Sequence, residues 1–269
     1  MQSKKQAIGI FDSGIGGLTV ANAIQKLLPN ERIVYFGDTA HLPYGDKSAK
    51  AIQHYAKGIS HFLLGKDCKM VVVACNTASA VAFNEVKKAC GRLAIPINVI
   101  DPVVKELGKQ QTVKKVGVIA TKRTVSTRVY TKRILKSHPE LLSTELATPL
   151  LAPMIEEGFF NNKISQTIIN SYLAKKNLDN IDALILACTH YPLIQKEIEN
   201  YYKGKVQILD SAHAVALAVQ QELTSKKLLS DNREGEHEFY VSDFTESFEQ
   251  TARIFFPEEI HLREMNLWA

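Results

Sequence analysis

Short apolar runs alternate with stretches of helical spacing along most of the chain. Ala7 to Phe11 reads as a buried strand, a Gly-rich turn follows, and Leu18 to Leu28 has the spacing of a helix. Arg32 to Phe36 predicts a second strand, Ser48 to Leu64 a second helix, and the apolar Met70 to Ala74 a third strand. Val81 to Cys90 then predicts a helix and Ile97 to Ile100 a strand. Further on, strands are expected at Lys115 to Ala120 and Ala183 to Ala187, with helices between them, and Ile208 to Asp210 closes another. Strands apolar on both faces, alternating with helices, indicate parallel sheets covered on both sides.

The pattern repeats itself. Val71-Val72-Val73-Ala74-Cys75-Asn76-Thr77 resembles Leu184-Ile185-Leu186-Ala187-Cys188-Thr189-His190. Each is a buried strand ending in Ala-Cys, followed by small polar residues and the start of a helix. The strands Ile8 to Phe11 and Val116 to Ile119 precede the two cysteines at similar intervals. The expected architecture is therefore α/β, with two facing, pseudo-symmetric domains built on mainly parallel sheets. Ligands of open α/β sheets bind at the carboxyl ends of the strands. An active site is expected in the cleft between the halves, with Cys75 and Cys188 reaching in from opposite sides.

Composition narrows the class. The 269 residues are 45% hydrophobic and 23% charged, a globular balance that excludes disorder. The net charge of +5 is spread along the chain, densest at Lys114-Lys115 and among Lys122, Arg123, Arg128, Lys132 and Arg133. Without an accompanying RNA- or DNA-binding module, that stretch reads as a solvated helix face, and no nucleic-acid partner is expected. Met1 to Gln6 lacks the apolar core of a secretory signal, and no apolar run reaches the ~18 residues that span a bilayer. A cytoplasmic protein with no membrane partner is expected. There the four cysteines stay reduced, and no C-x-x-C pair suggests zinc. Cys68 and Cys90 read as small buried hydrophobes.

Two facing thiols suit proton transfer at a carbon held between them. One base alone must move, or the substrate must turn over; two bases on opposite faces need neither. A thiol's reference pKa of ~8.5 can be tuned so that thiolate and thiol coexist near neutrality. Reaching Cα from each side at ~3–3.5 Å would put the sulfurs roughly 7 Å apart, far beyond a disulfide. His190 stands two residues beyond Cys188 and can exchange a proton with it; Asp12, at a neighbouring strand end, is the corresponding candidate beside Cys75. Asn76, Thr77 and Thr189 offer donors for a carboxylate at helix N-termini. Gly14, Gly16 and Gly17 match neither a Walker loop nor G-x-G-x-x-G, so they read as a tight turn beside a small-substrate pocket, which Asp12 can also cap. His41 and His213 read as surface or packing residues.

Here the motifs become recognisable. Phe11-Asp12-Ser13-Gly14-Ile15-Gly16-Gly17-Leu18-Thr19-Val20, Gly37-Asp38-Thr39-Ala40-His41-Leu42-Pro43-Tyr44-Gly45, Ala74-Cys75-Asn76-Thr77-Ala78 and Ala187-Cys188-Thr189-His190-Tyr191-Pro192-Leu193 follow in order. Over nearly the whole chain they resemble the aspartate/glutamate racemase family, and its bacterial glutamate racemases in particular. The resemblance implies interconversion of L- and D-glutamate by two cysteines, with no pyridoxal phosphate, metal or nucleotide. It implies that Cys75 deprotonates the D-form and Cys188 the L-form, and that the D-isomer feeds peptidoglycan synthesis. Substrate contacts would fall to Asp12, Ser13, Tyr44, Gly45, Asn76, Thr77, Thr121, Thr189 and His190, with Glu156 an auxiliary acid near Cys188. It also implies a homodimer, and a chain that returns to its first domain near Asp210: residues 1–97 with 210–269, then 98–209. An aspartate or hydantoin racemase, a one-cysteine decarboxylase, an amino-acid-binding module and a cysteine hydrolase remain alternatives. The hydrolase, with a Cys188–His190 dyad, leaves Cys75 without a role.

Overall fold

Six consecutive buried residues, Ala7 to Asp12, form the strand β1 from which the first sheet grows. The computed structural model describes residues 2–110, 112–256 and 260–268. After β1 come α1 (Leu18–Leu27), β2 (Ile33–Gly37), α2 (Ala49–Gly65), β3 (Cys68–Val73), α3 (Asn76–Cys90), β4 (Ile95–Asn98) and α4 (Ile100–Leu107). The second run is β5 (Lys115–Ala120), α5 (Lys122–Thr127), α6 (Val129–Ser137), β6 (Leu142–Ala147), α7 (Leu151–Glu156) and α8 (Lys163–Leu173). It continues with β7 (Ala183–Ala187), α9 (Gln195–Tyr202), β8 (Gln207–Asp210) and α10 (Ser211–Ser225). The last elements are β9 (Glu238–Val241), α11 (Glu246–Phe255) and β10 (Leu262–Glu264).

Two sheets result, ordered β10-β9-β2-β1-β3-β4 and β6-β5-β7-β8. Every pairing described is parallel. The order β2-β1-β3-β4 recurs as β6-β5-β7-β8, so the repeat seen in sequence is a repeat of topology. β9 and β10 extend the first sheet past β2, returning the chain to the half where it began. One apolar core joins the inner face of the first sheet, through α1, α4 and α10, to the second sheet; another covers the opposite face of the first sheet beneath α2 and α3.

Element boundaries shift where polar side chains intervene. The strand expected at Ile97 to Ile100 instead spans Ile95–Asn98. Asn98 Oδ1 accepts the Ile100 and Asp101 N–H groups at 2.8 and 2.9 Å, so the chain turns there and Ile100 opens α4. The helix expected from Val81 begins five residues earlier, at Asn76, because Cys75 caps it. β6 lacked a continuous apolar run: it is an edge strand, with Leu142 68% exposed. Cys68 and Cys90 are buried, as expected of small hydrophobes. Among the described residues, no helix is long and apolar enough to cross a membrane.

Candidate active site

Cys75 stands two residues beyond β3, after Ala74, and turns the backbone into α3. Its Sγ accepts the Ala78 N–H at 3.4 Å, which places the sulfur at the positive end of a 15-residue helix. The thiol also points to Ser13 Oγ at 3.7 Å and is only 5% exposed. Burial, and next the charge of Asp12, push its pKa up to about 12, so Cys75 rests as a thiol. Cys188, charged, would add to that effect, which ties the two sulfurs to one electrostatic environment.

Cys188 stands at the matching place after β7, 7% exposed. From it the chain runs through Thr189 and His190 into the turn Tyr191–Ile194. His190 Nδ1 lies 3.5 Å from Cys188 Sγ. On the far side of the ring, Nε2 is 2.8 Å from Glu156 Oε1 at the end of α7. That approach lies off the line of a good hydrogen bond, so the contact is mainly an ion pair. Burial alone would favour the neutral ring, but Cys188 and Glu156 outweigh it and hold the His190 pKa well above the usual range. A cation 3.5 Å from a sulfur stabilises negative charge on that sulfur. The surroundings of the two cysteines therefore differ in sign: one is next to an acid, the other next to a cation.

The two halves meet around these residues. Asp12, fully buried at the end of β1, caps the glycine turn by accepting the Gly14 N–H at 3.2 Å and accepts Thr189 Oγ1–H at 3.4 Å across the cleft. Burial raises its pKa, while His190 opposes that rise. Thr77, Thr121 and Thr124 form a triangle of hydroxyls 3.0–3.3 Å apart that joins α3 to the end of β5. Gly16 lies so close to the Cys188 loop that a Cβ there would stand 2.6 Å from His190 Cε1; at Gly45 one would stand 3.0 Å from Thr121 Cβ. The glycine-rich turn thus serves close approach between halves.

Asn76 and Tyr44 complete the set. Asn76 Oδ1 accepts from the Tyr130 hydroxyl at 2.5 Å, and its Nδ2 is buried with no partner among the described residues. A buried amide donor left unpaired is costly unless a ligand uses it. The Tyr44 phenol donates to Asp38 Oδ2 at 2.6 Å, so that residue has only its backbone left for the cleft. The structure thus gathers Asp12, Ser13, Asn76, Thr77, Thr121, Thr189, His190 and Glu156 around the cysteines, with Tyr44 and Gly45 reaching the Thr121 side. His41 packs on Tyr55 and bonds Asp38; His213 is exposed. It lines an outer cleft of about 490 Å³ with Thr19, Lys26, Leu193 and Phe255, behind the Cys188 loop and containing neither cysteine. Sequence reasoning missed Tyr130, which α6 brings to Asn76 with no local signal. It also missed Asp38, although the Gly37-Asp38 motif contained it. Among the described residues, no group of three or more His, Cys, Asp or Glu side chains is placed to hold a metal.

Comparisons with known proteins identify the family and the fold. A profile of the Asp/Glu/Hydantoin racemase family matches residues 18–219. A glutamate racemase of Chlorobaculum tepidum is 40% identical over 96% of this chain and 95% of its own length. The crystal structure of glutamate racemase from Francisella tularensis in complex with D-glutamate superposes with a TM-score of 0.92 at 35% identity, covering 98% of this chain and 99% of that one. The glutamate racemase of Thermus thermophilus, in complex with beta-chloro-D-alanine, follows at 0.86 and 34%, covering 99% of each chain.

Proposed function

Because the chain belongs to the Asp/Glu/Hydantoin racemase family, we propose that it interconverts L- and D-glutamate by proton transfer between Cys75 and Cys188. The observation that carries this mechanism is the placement of two buried cysteines at equivalent strand ends of a duplicated sheet. In the L-to-D direction the Cys188 thiolate, paired with cationic His190, removes the Cα proton. The Cys75 thiol, which burial keeps protonated, delivers one to the opposite face. Reversing the reaction starts from a Cys75 thiolate and ends with a proton on Cys188. Glu156 keeps His190 charged, and Asp12, its own pKa raised, stands ready to relay a proton on the Cys75 side.

The substrate carboxylates take the donors left over. Asn76 Nδ2, the hydroxyls of Ser13, Thr77 and Thr121, and the backbone at Tyr44 and Gly45 hold and orient them, and the Thr189 hydroxyl can turn from Asp12 to join them. Negative charge developing at the Cα carboxylate is stabilised by those pre-aimed donors in a closed, largely dry cleft. The cleft separates two domains, residues 1–97 with 210–269 and residues 98–209. No pyridoxal phosphate, metal or nucleotide takes part. We read it as a homodimeric enzyme of the bacterial cytoplasm that supplies D-glutamate for peptidoglycan.

The test is proton NMR of the protein with L-glutamate in D₂O and no added cofactor. Loss of the Cα–H signal with decay of optical rotation is expected. Aspartate in its place should be left unchanged. Cys75→Ser and Cys188→Ser should each abolish racemisation. Full rates in either variant would sink the two-base reading.

A further inference from the structure

Asp38 is a fully buried carboxylate outside the reacting centre, and its four hydrogen-bond partners come from three segments of the chain. Tyr44 OH donates to Oδ2 at 2.6 Å. His41 Nδ1 lies 2.9 Å from Oδ1 and 3.1 Å from Oδ2. Ser242 Oγ and Trp268 Nε1 donate to Oδ1 at 2.8 and 3.1 Å. A carboxylate offers about four lone-pair directions, so this one is saturated, and removing one donor alters the balance among the rest.

Trp268 is the most distant of these partners in sequence. Its ring lies against α2 at Gly58, where a Cβ would come within 2.8 Å of it, and meets Tyr55 at 5.2 Å and His41 at 5.3 Å. Tyr55 in turn stacks on Tyr44 at 5.9 Å. Beyond Tyr44, Gly45 abuts Thr121 across the cleft. The indole therefore holds the segment carrying Tyr44 and Gly45 twice, through the Asp38 carboxylate and through an aromatic stack. It touches neither cysteine loop in any contact described.

We infer that Trp268 is a positioning residue for the substrate-contacting segment Tyr44–Gly45, acting through Asp38. The inference rests on the reading that Tyr44 and Gly45 contact glutamate. The two thiols are fixed by the ends of β3 and β7, which Trp268 does not reach. Its loss therefore weakens substrate binding and leaves proton transfer intact.

Steady-state racemisation by the full chain, measured in both directions, tests this. Trp268→Phe keeps an aromatic ring and removes the N–H. It should raise KM about three- to tenfold for both enantiomers, below the more than tenfold of a lost hydrogen bond to a charged group because the effect reaches substrate only through Asp38, with kcat within about twofold. Gly58→Ala pushes the indole from the helix side, without touching Asp38 or the loop, and should give the same split. It also serves if Trp268→Phe fails to fold. As Trp268 is the only tryptophan of the chain, saturating D-glutamate should also shift the wild-type fluorescence. A wild type that racemises glutamate alongside folded variants of unchanged KM, or with kcat lowered instead, overturns the inference alone. A wild type inactive on glutamate overturns the underlying reading of the site, and this inference with it.

Discussion

At the scale of single residues, the site is an exercise in giving identical side chains unlike surroundings. Cys75 and Cys188 are both nearly buried, yet one is pushed up to about 12 by burial and Asp12 while the other has cationic His190 at 3.5 Å. The difference should be visible without substrate. With iodoacetamide at pH 7.5, Cys188 is expected to alkylate well ahead of Cys75, and the Cys75 rate should keep rising past pH 10 because only its thiolate reacts. Peptide mass mapping reads both; equal rates at pH 7.5 would contradict the assignment. On the proposed reading of the site, Asn76 poses the reverse problem, a donor aimed before substrate arrives. The Tyr130 hydroxyl fixes its Oδ1, and so its Nδ2. Tyr130→Phe leaves that oxygen buried and unpaired, at a cost of roughly 1–3 kcal/mol. Urea unfolding should show this loss, and kinetics should show KM rising more than kcat falls.

At the scale of elements, the duplicated order β2-β1-β3-β4 and β6-β5-β7-β8 explains why so much was legible in sequence. Central parallel strands are buried on both faces, so β1, β3, β5 and β7 announce themselves as apolar runs, and Cys75 and Cys188 stand just beyond the ends of β3 and β7. Edge strands carry no such signature. In β6, Leu142–Ala147, half the residues are polar (Ser143, Thr144 and Glu145), and β10 is three residues with two exposed, so neither stood out. Side-chain capping was equally silent: nothing before the structure said that Asn98 would turn β4 into α4, or that the Cys75 sulfur would itself cap α3. Partners brought from remote elements, such as Tyr130 and Trp268, lie beyond any local pattern. The glycine turn after β1 was legible as a turn; its reason, contact with the opposite half, was not. Gly16→Ala tests that reason. A Cβ there meets His190 Cε1 at 2.6 Å and Thr189 Oγ1 at 2.7 Å, so the Cys188 loop must move. A displacement near 1 Å at a reacting group costs on the order of 100-fold in rate. Circular dichroism should report an intact fold with racemisation reduced to that extent; wild-type turnover would mean that the loop yields freely.

At the scale of the whole molecule, keeping reactive thiols protonated inside a dry core links function to stability. Cys68, Cys75 and Cys90 have pKa values pushed up to about 12, about 12 and about 11, chiefly by burial, against ~8.5 for a free thiol. Each therefore holds its proton in the folded state at pH values where the unfolded chain has released it. With more protons bound to the native state, the unfolding free energy falls as pH rises. The stabilisation is complete below the unfolded pKa near ~8.5 and is lost progressively up to the folded values. From about pH 8.5 to 9.5 urea midpoints should fall steadily. Each of the three thiols contributes up to about one proton to the slope, and five buried or half-buried tyrosines whose pKa values are also raised add to it toward pH 10. Cys90→Ala removes one of these groups far from the cleft, and Cys75→Ser removes another inside it. Both variants should flatten the pH dependence by about one proton, although only the second abolishes turnover. If the two slopes differ, Cys75 is not the protonated thiol that delivery of a proton to Cα requires. If they match while racemisation separates them, the energy that keeps Cys75 ready as a donor comes from burial in the fold and not from the substrate.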